Sequence, residues 1–226
     1  MMKKALNYLL AVLLLSSCGQ DEEVLTSHPS TTPGENIGEL HTLPSASPEI
    51  TEAIGENLQV YFNTLNEQGF EDHVDMAFPG IFQTEEERTA MIKTLTDWSN
   101  KGLNNYAHNV KLIYISPGVQ LDTTMAYVAF FEGDYKVDFE EHFEGDPESY
   151  KPQINSAFSR LELEWDSVKT EYSGHGIQMV YAITSENYLD FRFINERFVS
   201  SPRMGAIIDF DNMKILKGYE SAYNNQ

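Results

Sequence analysis

The chain has 226 residues, of which 35 are Asp or Glu and 15 are Lys or Arg, so its formal net charge at pH 7 is −20. Negative charge of this size opposes binding to nucleic acid and to anionic lipid headgroups, and it suits either a positively charged partner or simply the protein's compartment. The single cysteine excludes internal disulfides, iron–sulfur clusters and cysteine-ligated zinc.

Residues 1–17 have the layout of an export signal. Lys3 and Lys4 precede an apolar run that is too short to cross a bilayer, since a spanning helix needs about 20 apolar residues. The segment LSSC at 15–18 resembles the lipobox of bacterial lipoproteins, which implies removal of residues 1–17, lipidation of Cys18 and attachment to a membrane through that lipid. An ordinary signal peptide with an incidental cysteine is the alternative.

Residues 18–47 are predicted to be the lipidated N-terminus and a flexible tether, because they contain three prolines, many Ser and Thr, and no apolar periodicity. The acidic residues 21–23 resemble the export tag of surface lipoproteins in Bacteroidota, although a plain acidic linker is equally compatible. These features predict a lipid-anchored protein of the cell envelope, at the outer membrane, and the tag would imply exposure at the cell surface.

One domain is predicted over residues 48–226, and it opens with helices. Ser47 can cap the first helix, Pro48 suits its first position, and apolar residues recur every three or four positions from Ile50 to Leu65. A short second helix is predicted from Phe70 to Phe78.

A capping box predicts the start of a third helix. Thr84 and Glu87 have the required spacing, and the apolar stripe of this helix is Met91, Leu95 and Trp98. The pair Lys101–Gly102 ends the helix.

The pattern then changes to alternation, which predicts consecutive antiparallel strands. A helix is inserted between Asp146 and Arg160, and residues 172–176 are interpreted as a loop. The predicted strands are Tyr106–Ser116, Leu121–Glu132, Tyr135–Phe139, Ile177–Thr184, Tyr188–Val199, Met204–Phe210 and Lys214–Leu216. The predicted fold class is therefore α+β, with N-terminal helices packed on a curved, mostly antiparallel sheet and with one inserted helix.

The segment 70–82, FEDHVDMAFPGIF, followed by a capped helix and long strands, resembles the nuclear-transport-factor-2-like superfamily, and most closely a group of Bacteroidota lipoproteins of that shape. The similarity covers Ile50 to Phe143, with the later strands matching loosely. It implies a cone in which three helices pack into the mouth of a bent sheet. The cone interior can be a pocket, an active site, a dimer face or plain core.

Five aromatic residues are candidates for the lining of such a pocket, with ordinary core packing as the alternative: Tyr61, Trp98, Tyr114, Tyr127 and Phe131. No catalytic residue, metal site or cofactor is predicted. The six histidines show no metal-ligand spacing, and the acidic residues between 132 and 148 match no calcium loop.

Enzymes of the superfamily use a carboxylate base and a Tyr or acid donor inside the cone. Asp75, His73, Tyr114 and Tyr127 are the residue types that such chemistry needs. Because the strand segments between 106 and 131 contain only Asp122 as a carboxylate, Asp75 is expected to be exposed or near the rim, and no pair of buried acids is expected to converge. The sequence therefore favours a module that binds a small apolar ligand or a partner protein, the alternative being an isomerase- or hydrolase-like enzyme.

Overall fold

The computed structural model describes residues 43–158, 160–184, 189–196 and 203–225. The predicted signal, Cys18 and most of the tether lie outside the described residues, as do both ends of the strand predicted over 188–199. None of the helices in the described part of the chain has the length and apolar content needed to cross a membrane.

The first helix, α1 (Pro48–Asn66), begins as its sequence predicts. The Ser47 hydroxyl accepts a hydrogen bond from the Ile50 backbone N–H, and Pro48 occupies the first turn. The buried side of α1 consists of Ala53, Ile54, Leu58 and Phe62. This side packs against the sheet and belongs to the main hydrophobic core.

The next helices lie at the periphery. Helix α2 (Phe70–Asp75) is followed by a 3₁₀ turn at Pro79–Ile81 and by α3 (Glu85–Asn100). Thr84 caps α3 as predicted, because its hydroxyl accepts from the Glu87 N–H, whereas the Glu87 carboxylate accepts from the N–H of Gln83, one residue before the cap. No residue of α3 is fully buried, so its predicted apolar stripe is not part of the core.

Six strands form one curved, open antiparallel sheet, which confirms the predicted α+β class with N-terminal helices. The strand order is β1-β3-β5-β4; β2 also pairs with β3, and β6 with β5. Thus β3 and β5 are central in the sheet, whereas β1 lies at its edge. The strands are β1 (Leu103–Ile115), β2 (Val119–Gln120), β3 (Met125–Phe139), β4 (Glu164–Asp166), β5 (Glu171–Thr184) and β6 (Phe191–Asn195).

The sheet has two faces with different cover. On the α1 face, Tyr127, Phe131 and Tyr135 of β3 lie under α1 and the inserted helix α4 (Lys151–Ala157). On the opposite face, Val128 and Phe130 lie under the C-terminal helix α6 (Phe210–Asn224), and we call this the α6 face. Beyond Phe130, the α6 face carries the half-buried polar residues Glu132, Asp134, Lys136 and Asp138.

The C-terminal segments are helical, so the strands predicted at 204–210 and 214–216 are wrong. Residues Met204–Ile207 form α5, and Phe210–Asn224 form α6. The Asp209 side chain accepts a hydrogen bond from the Asn212 N–H and caps the start of α6. The ring of Tyr223 then stacks on Phe130 at 3.9 Å, which holds α6 on the sheet.

Two further predictions are wrong at glycine-containing segments: the loop at 172–176 and the division of β3 into two strands. Residues 172–176 belong to β5, because Gly174 and Gly176 lie under Leu163 and Leu161. A Cβ at Gly176 would be 2.9 Å from Leu161 Cδ1. Gly133, which pairs with Gly176, lies in the middle of one long strand, β3, where two shorter strands were predicted.

Candidate functional site

Three of the five predicted pocket residues belong to one packed cluster on the α1 face. Tyr127 and Phe131 are buried, and their rings contact Phe191 at 5.9 Å and Phe62 at 5.3 Å. Tyr61 is half-buried and packs against the same cluster. These contacts make the three residues part of the packed core, which is the alternative that the sequence left open.

The other two predicted pocket residues lie elsewhere. Tyr114 is on the α6 face, where its ring stacks on Tyr223 at 5.3 Å and its hydroxyl donates to the Pro44 carbonyl at 2.9 Å. Trp98 lines a small depression with Phe70 of α2 and Leu103 of β1. The structure therefore does not bring the five residues to one pocket.

The two residues of 70–82 with catalytic chemistry are engaged in structural contacts. Asp75 is 54 % exposed and accepts a hydrogen bond of 2.8 Å from Nε of Arg88, which confirms the prediction of an exposed Asp75. His73 Nδ1 lies 2.9 Å from the Tyr61 carbonyl oxygen, and its ring packs on the Tyr61 ring at 4.3 Å. Burial lowers the pKa of His73 below its ordinary value of 6.5, and the hydrogen bond only partly offsets this.

The buried acids of the described residues do not converge, as predicted. Glu171 lies 2.9 Å from Lys136 at the start of β5. Glu220 accepts a hydrogen bond from the Tyr181 hydroxyl at 3.3 Å. Because Glu171 and Tyr181 are ten residues apart on one strand, about 33 Å separate the two positions.

A polar cluster at α6 was missed by the sequence interpretation. Arg160 donates to Glu196 at 2.7 Å and to Glu220 at 2.6 Å, and its guanidinium lies 5.3 Å from the Phe130 ring centroid. Lys217 Nζ, 2.6 Å from Glu220, supplies the second positive charge, so the cluster is neutral and connects α6 to the chain that follows α4. No local pattern indicates a contact between positions 60 residues apart.

A row of polar residues crosses three strands of the α6 face. Asp134 of β3 is paired with His108 of β1 and with His175 of β5. Hydrogen bonds from the Asn109 amide (2.5 Å) and from His175 Nδ1 (2.8 Å) hold the pKa of Asp134 below its ordinary value. No group of three His, Cys, Asp or Glu side chains that could hold a metal ion occurs in the part of the chain that the structure describes.

A wide groove lies at the end of β3. It has a volume of about 970 Å³ and runs between the loop 140–147 and the turn 168–170, and we call it the acidic groove. Asp138, Glu140 and Glu141 line it, with Lys169 on the opposite side. Val168 at its rim is 91 % exposed.

The carboxylates of the groove are partly fixed by their neighbours. The Asn104 amide donates to Glu140 at 2.6 Å, and Lys136 Nζ lies 3.5 Å from Asp138. Lys169 lies 3.6 Å from Glu171, so its charge is shared with an acid outside the groove. The groove therefore presents prearranged oxygen acceptors and a negative potential beside an exposed apolar residue.

The chain enters the domain at the opposite end of the sheet. The Ala46 N–H donates to the Ile115 carbonyl at 3.1 Å, at the last residue of β1. Leu103, the first residue of β1, pairs with Phe139 beside the groove. Twelve steps of about 3.3 Å along β1 put the groove at most about 40 Å from this point.

The described geometry offers a surface suited to binding, and the tyrosines and acids singled out for catalysis are occupied by packing and hydrogen bonds. No protein-family model, no curated protein and no solved structure matches the chain.

Proposed function

We propose that this protein is a lipid-anchored binding module of the cell envelope whose acidic groove receives a positively charged segment of a partner protein. The observation that carries the proposal is the position and chemistry of the groove. Its carboxylates lie at the end of the sheet that is opposite to the point where the N-terminal tether joins the domain.

Charge complementarity supports a basic partner. Three carboxylates line the groove, whereas Lys169 is the one Lys or Arg among its described lining residues, and the whole chain carries a formal charge of −20. A field of this sign attracts cationic segments and raises their association rate, with a strong dependence on salt. The exposed side chain of Val168 adds an apolar contact at the rim.

The predicted anchor supports an outward-facing groove. A lipid on Cys18 would hold the N-terminal end of the domain toward the membrane, and a coil of about 30 residues spans on the order of 30 Å. The groove at the far end of β1 would then face away from the headgroups, where another envelope protein can reach it.

The α1 face favours a partner protein over the small apolar ligand and over the enzyme. Tyr127 and Phe131 are buried against neighbouring rings, and His73 is held by the Tyr61 carbonyl. An acid–base enzyme needs such groups to face an open cavity.

Site-specific photo-crosslinking in the envelope tests this function. A photoreactive residue replacing Val168 should crosslink to a protein through a segment rich in Lys or Arg, as identified by mass spectrometry. The crosslink should weaken with added salt and in Glu141→Lys, but not in the matched control Glu52→Lys, which reverses an exposed charge on α1.

A second photoreactive residue at Val60 on α1, which is 50 % exposed, controls for nonspecific capture. Equal crosslinking from positions 60 and 168 would contradict the proposal. So would a crosslinked segment without basic residues, or a crosslink that Glu141→Lys leaves unchanged.

A further inference from the structure

A histidine in the wall of the acidic groove lies between two oxygen acceptors. His142 follows the end of β3 and lines the groove. Its Nε2 lies 3.3 Å from the carbonyl oxygen of Asn100, the last residue of α3. Its Nδ1 lies 3.4 Å from a carboxylate oxygen of Glu140, which lines the same groove. Both ring nitrogens therefore lie beside an acceptor.

The turn after α3 holds the ring in this position. Gly102 has a φ of +82°, which favours glycine, and a Cβ at this position would lie 3.2 Å from His142 Cε1. The Gly102 carbonyl accepts a hydrogen bond of 2.8 Å from the Glu140 N–H, so the turn and the groove loop are joined beside the ring. The His142 side chain is nevertheless 58 % exposed, so it exchanges protons with the solvent.

Only the protonated ring can donate to both acceptors. A neutral imidazole carries one N–H, so its second nitrogen presents a lone pair to an oxygen, whereas an imidazolium carries two N–H groups. The Asn100 carbonyl belongs to the last turn of α3, where the helix dipole interacts favourably with a cation. The site of His142 therefore accommodates a positive charge.

Protonation of His142 changes the charge of the groove. The charged groups nearby come from its own loop, from the end of β3, from the end of α3 and from the opposite wall: Glu140, Glu141, Asp138, Lys101 and Lys169. With a neutral His142, the described lining carries three carboxylates and one ammonium. An imidazolium adds a second cation, 3.4 Å from one of these carboxylates.

We propose that His142 is a pH switch of the acidic groove, so that the groove holds a basic segment when the imidazole is neutral and releases it when the imidazole is protonated. This inference rests on the proposed function and adds its regulation. Histidine is the residue type whose charge changes between pH 5 and 8, whereas Asp and Glu titrate at lower pH and Lys and Arg at higher pH. Among the described lining residues, His142 is the only one of this type.

The effect expected from one added charge is moderate and local. A unit charge at roughly 7 Å from a bound cation lowers its affinity about fourfold near a solvated surface. His108 and His175 are paired with Asp134, which precedes Asp138 by four residues, or about 13 Å along β3. This distance exceeds the Debye length of about 8 Å at 0.15 M salt, so these two histidines should contribute little.

The first test measures the affinity of a dye-labelled hexaarginine peptide for the full chain at pH 7.5 and at pH 5.5, in about 0.15 M salt. The wild type should bind about fourfold more weakly at pH 5.5. His142→Gln, which cannot be protonated, should lose most of this difference. His142→Arg, which is always charged, should bind weakly at both pH values. The matched control His175→Gln removes an exposed histidine of the α6 face and should keep the wild-type ratio.

The second test is calorimetry of the same binding at pH 6.5 in two buffers of different ionisation enthalpy. Because a bound cation disfavours the imidazolium, binding should release protons in the wild type and fewer in His142→Gln. If the peptide does not bind at pH 7.5, or if Glu141→Lys leaves its binding unchanged, the groove function and the switch both fail. If binding depends on Glu141 but His142→Gln keeps the wild-type pH ratio, the groove function stands and the switch is overturned.

Discussion

Replacing Arg160 by Ala should destabilise the domain more than the loss of any surface ion pair. The side chain of Arg160 is 18 % exposed, and those of its partners Glu220 and Glu196 are 11 % and 21 % exposed. Removing one partner of a buried ion pair costs about 3–5 kcal/mol, because the remaining charge stays buried. Lys217, at 2.6 Å from Glu220, keeps part of the compensation, so we expect a loss of about 2–3 kcal/mol.

The assays are urea-induced unfolding, which gives the free energy of unfolding, and thermal unfolding, which gives Tm, both followed by circular dichroism. For a domain of this size, a loss of about 2–3 kcal/mol lowers Tm by roughly 5–10 °C. Arg88→Ala is the matched control, since Arg88 contacts Asp75 and Glu85, whose side chains are 54 % and 73 % exposed. Exposed pairs contribute about 0–1 kcal/mol. The reasoning is refuted if Arg160→Ala costs no more than Arg88→Ala.

Three further outcomes are expected. Trp98→Ala should lower the free energy of unfolding in urea by about 1–2 kcal/mol, because Trp98 is half-buried outside both core clusters. A core position would imply a loss of about 3–5 kcal/mol. A measured loss of that size would show that Trp98 belongs to the core. Because the pKa of His73 is lowered in the folded state, the unfolded chain binds this proton more readily, so stability should fall as the pH drops below about 6.5. The difference in unfolding free energy between pH 8 and pH 5 should therefore be smaller in His73→Gln than in the wild type, and equal differences would contradict the buried neutral histidine. Cys18→Ser should abolish incorporation of labelled fatty acid, and equal labelling of the two proteins would exclude the lipoprotein prediction.

Local signals in the sequence were sufficient where the structure depends on neighbouring residues. The caps at Ser47 and Thr84 locate the starts of α1 and α3, because side-chain and backbone groups three positions apart decide them. They were insufficient at the C-terminus. The apolar residues of 204–210 suit a strand, and the helical alternative is stabilised by packing of Met204 and Ile207 on the α6 face.

A glycine can indicate either a turn or a strand position that a neighbouring side chain approaches closely, and only tertiary contacts distinguish the two cases. At 174 and 176 it suggests a turn, yet both residues lie in β5, because Leu163 and Leu161 occupy the space of their missing side chains. A sequence pattern does not indicate which distant residue approaches a glycine.

The candidate site was predictable only in part for the same reason. The acidic run from 132 to 148 is visible in the sequence, but the end of β3 divides it. Glu132 and Asp134 project from the sheet, whereas Glu140 and Glu141 line the groove. The opposite wall, 168–170, comes from a different hairpin. The pairing of Arg160 with Glu220 joins positions that only the folded chain brings together.

The attachment of the chain at Pro44 and Ala46 has a mechanical consequence for an anchored protein. Force from a lipid on Cys18 would reach the domain first at two hydrogen bonds, from Tyr114 to Pro44 and from Ala46 to Ile115. They lie ahead of the Ser47 cap and of the buried side of α1, so they would yield before the core is strained. Single-molecule pulling from residue 43 should show a small early extension that Tyr114→Phe weakens, followed by the main unfolding event. The membrane side of the domain would thus act as a compliant joint, which protects the fold from motions of the bilayer.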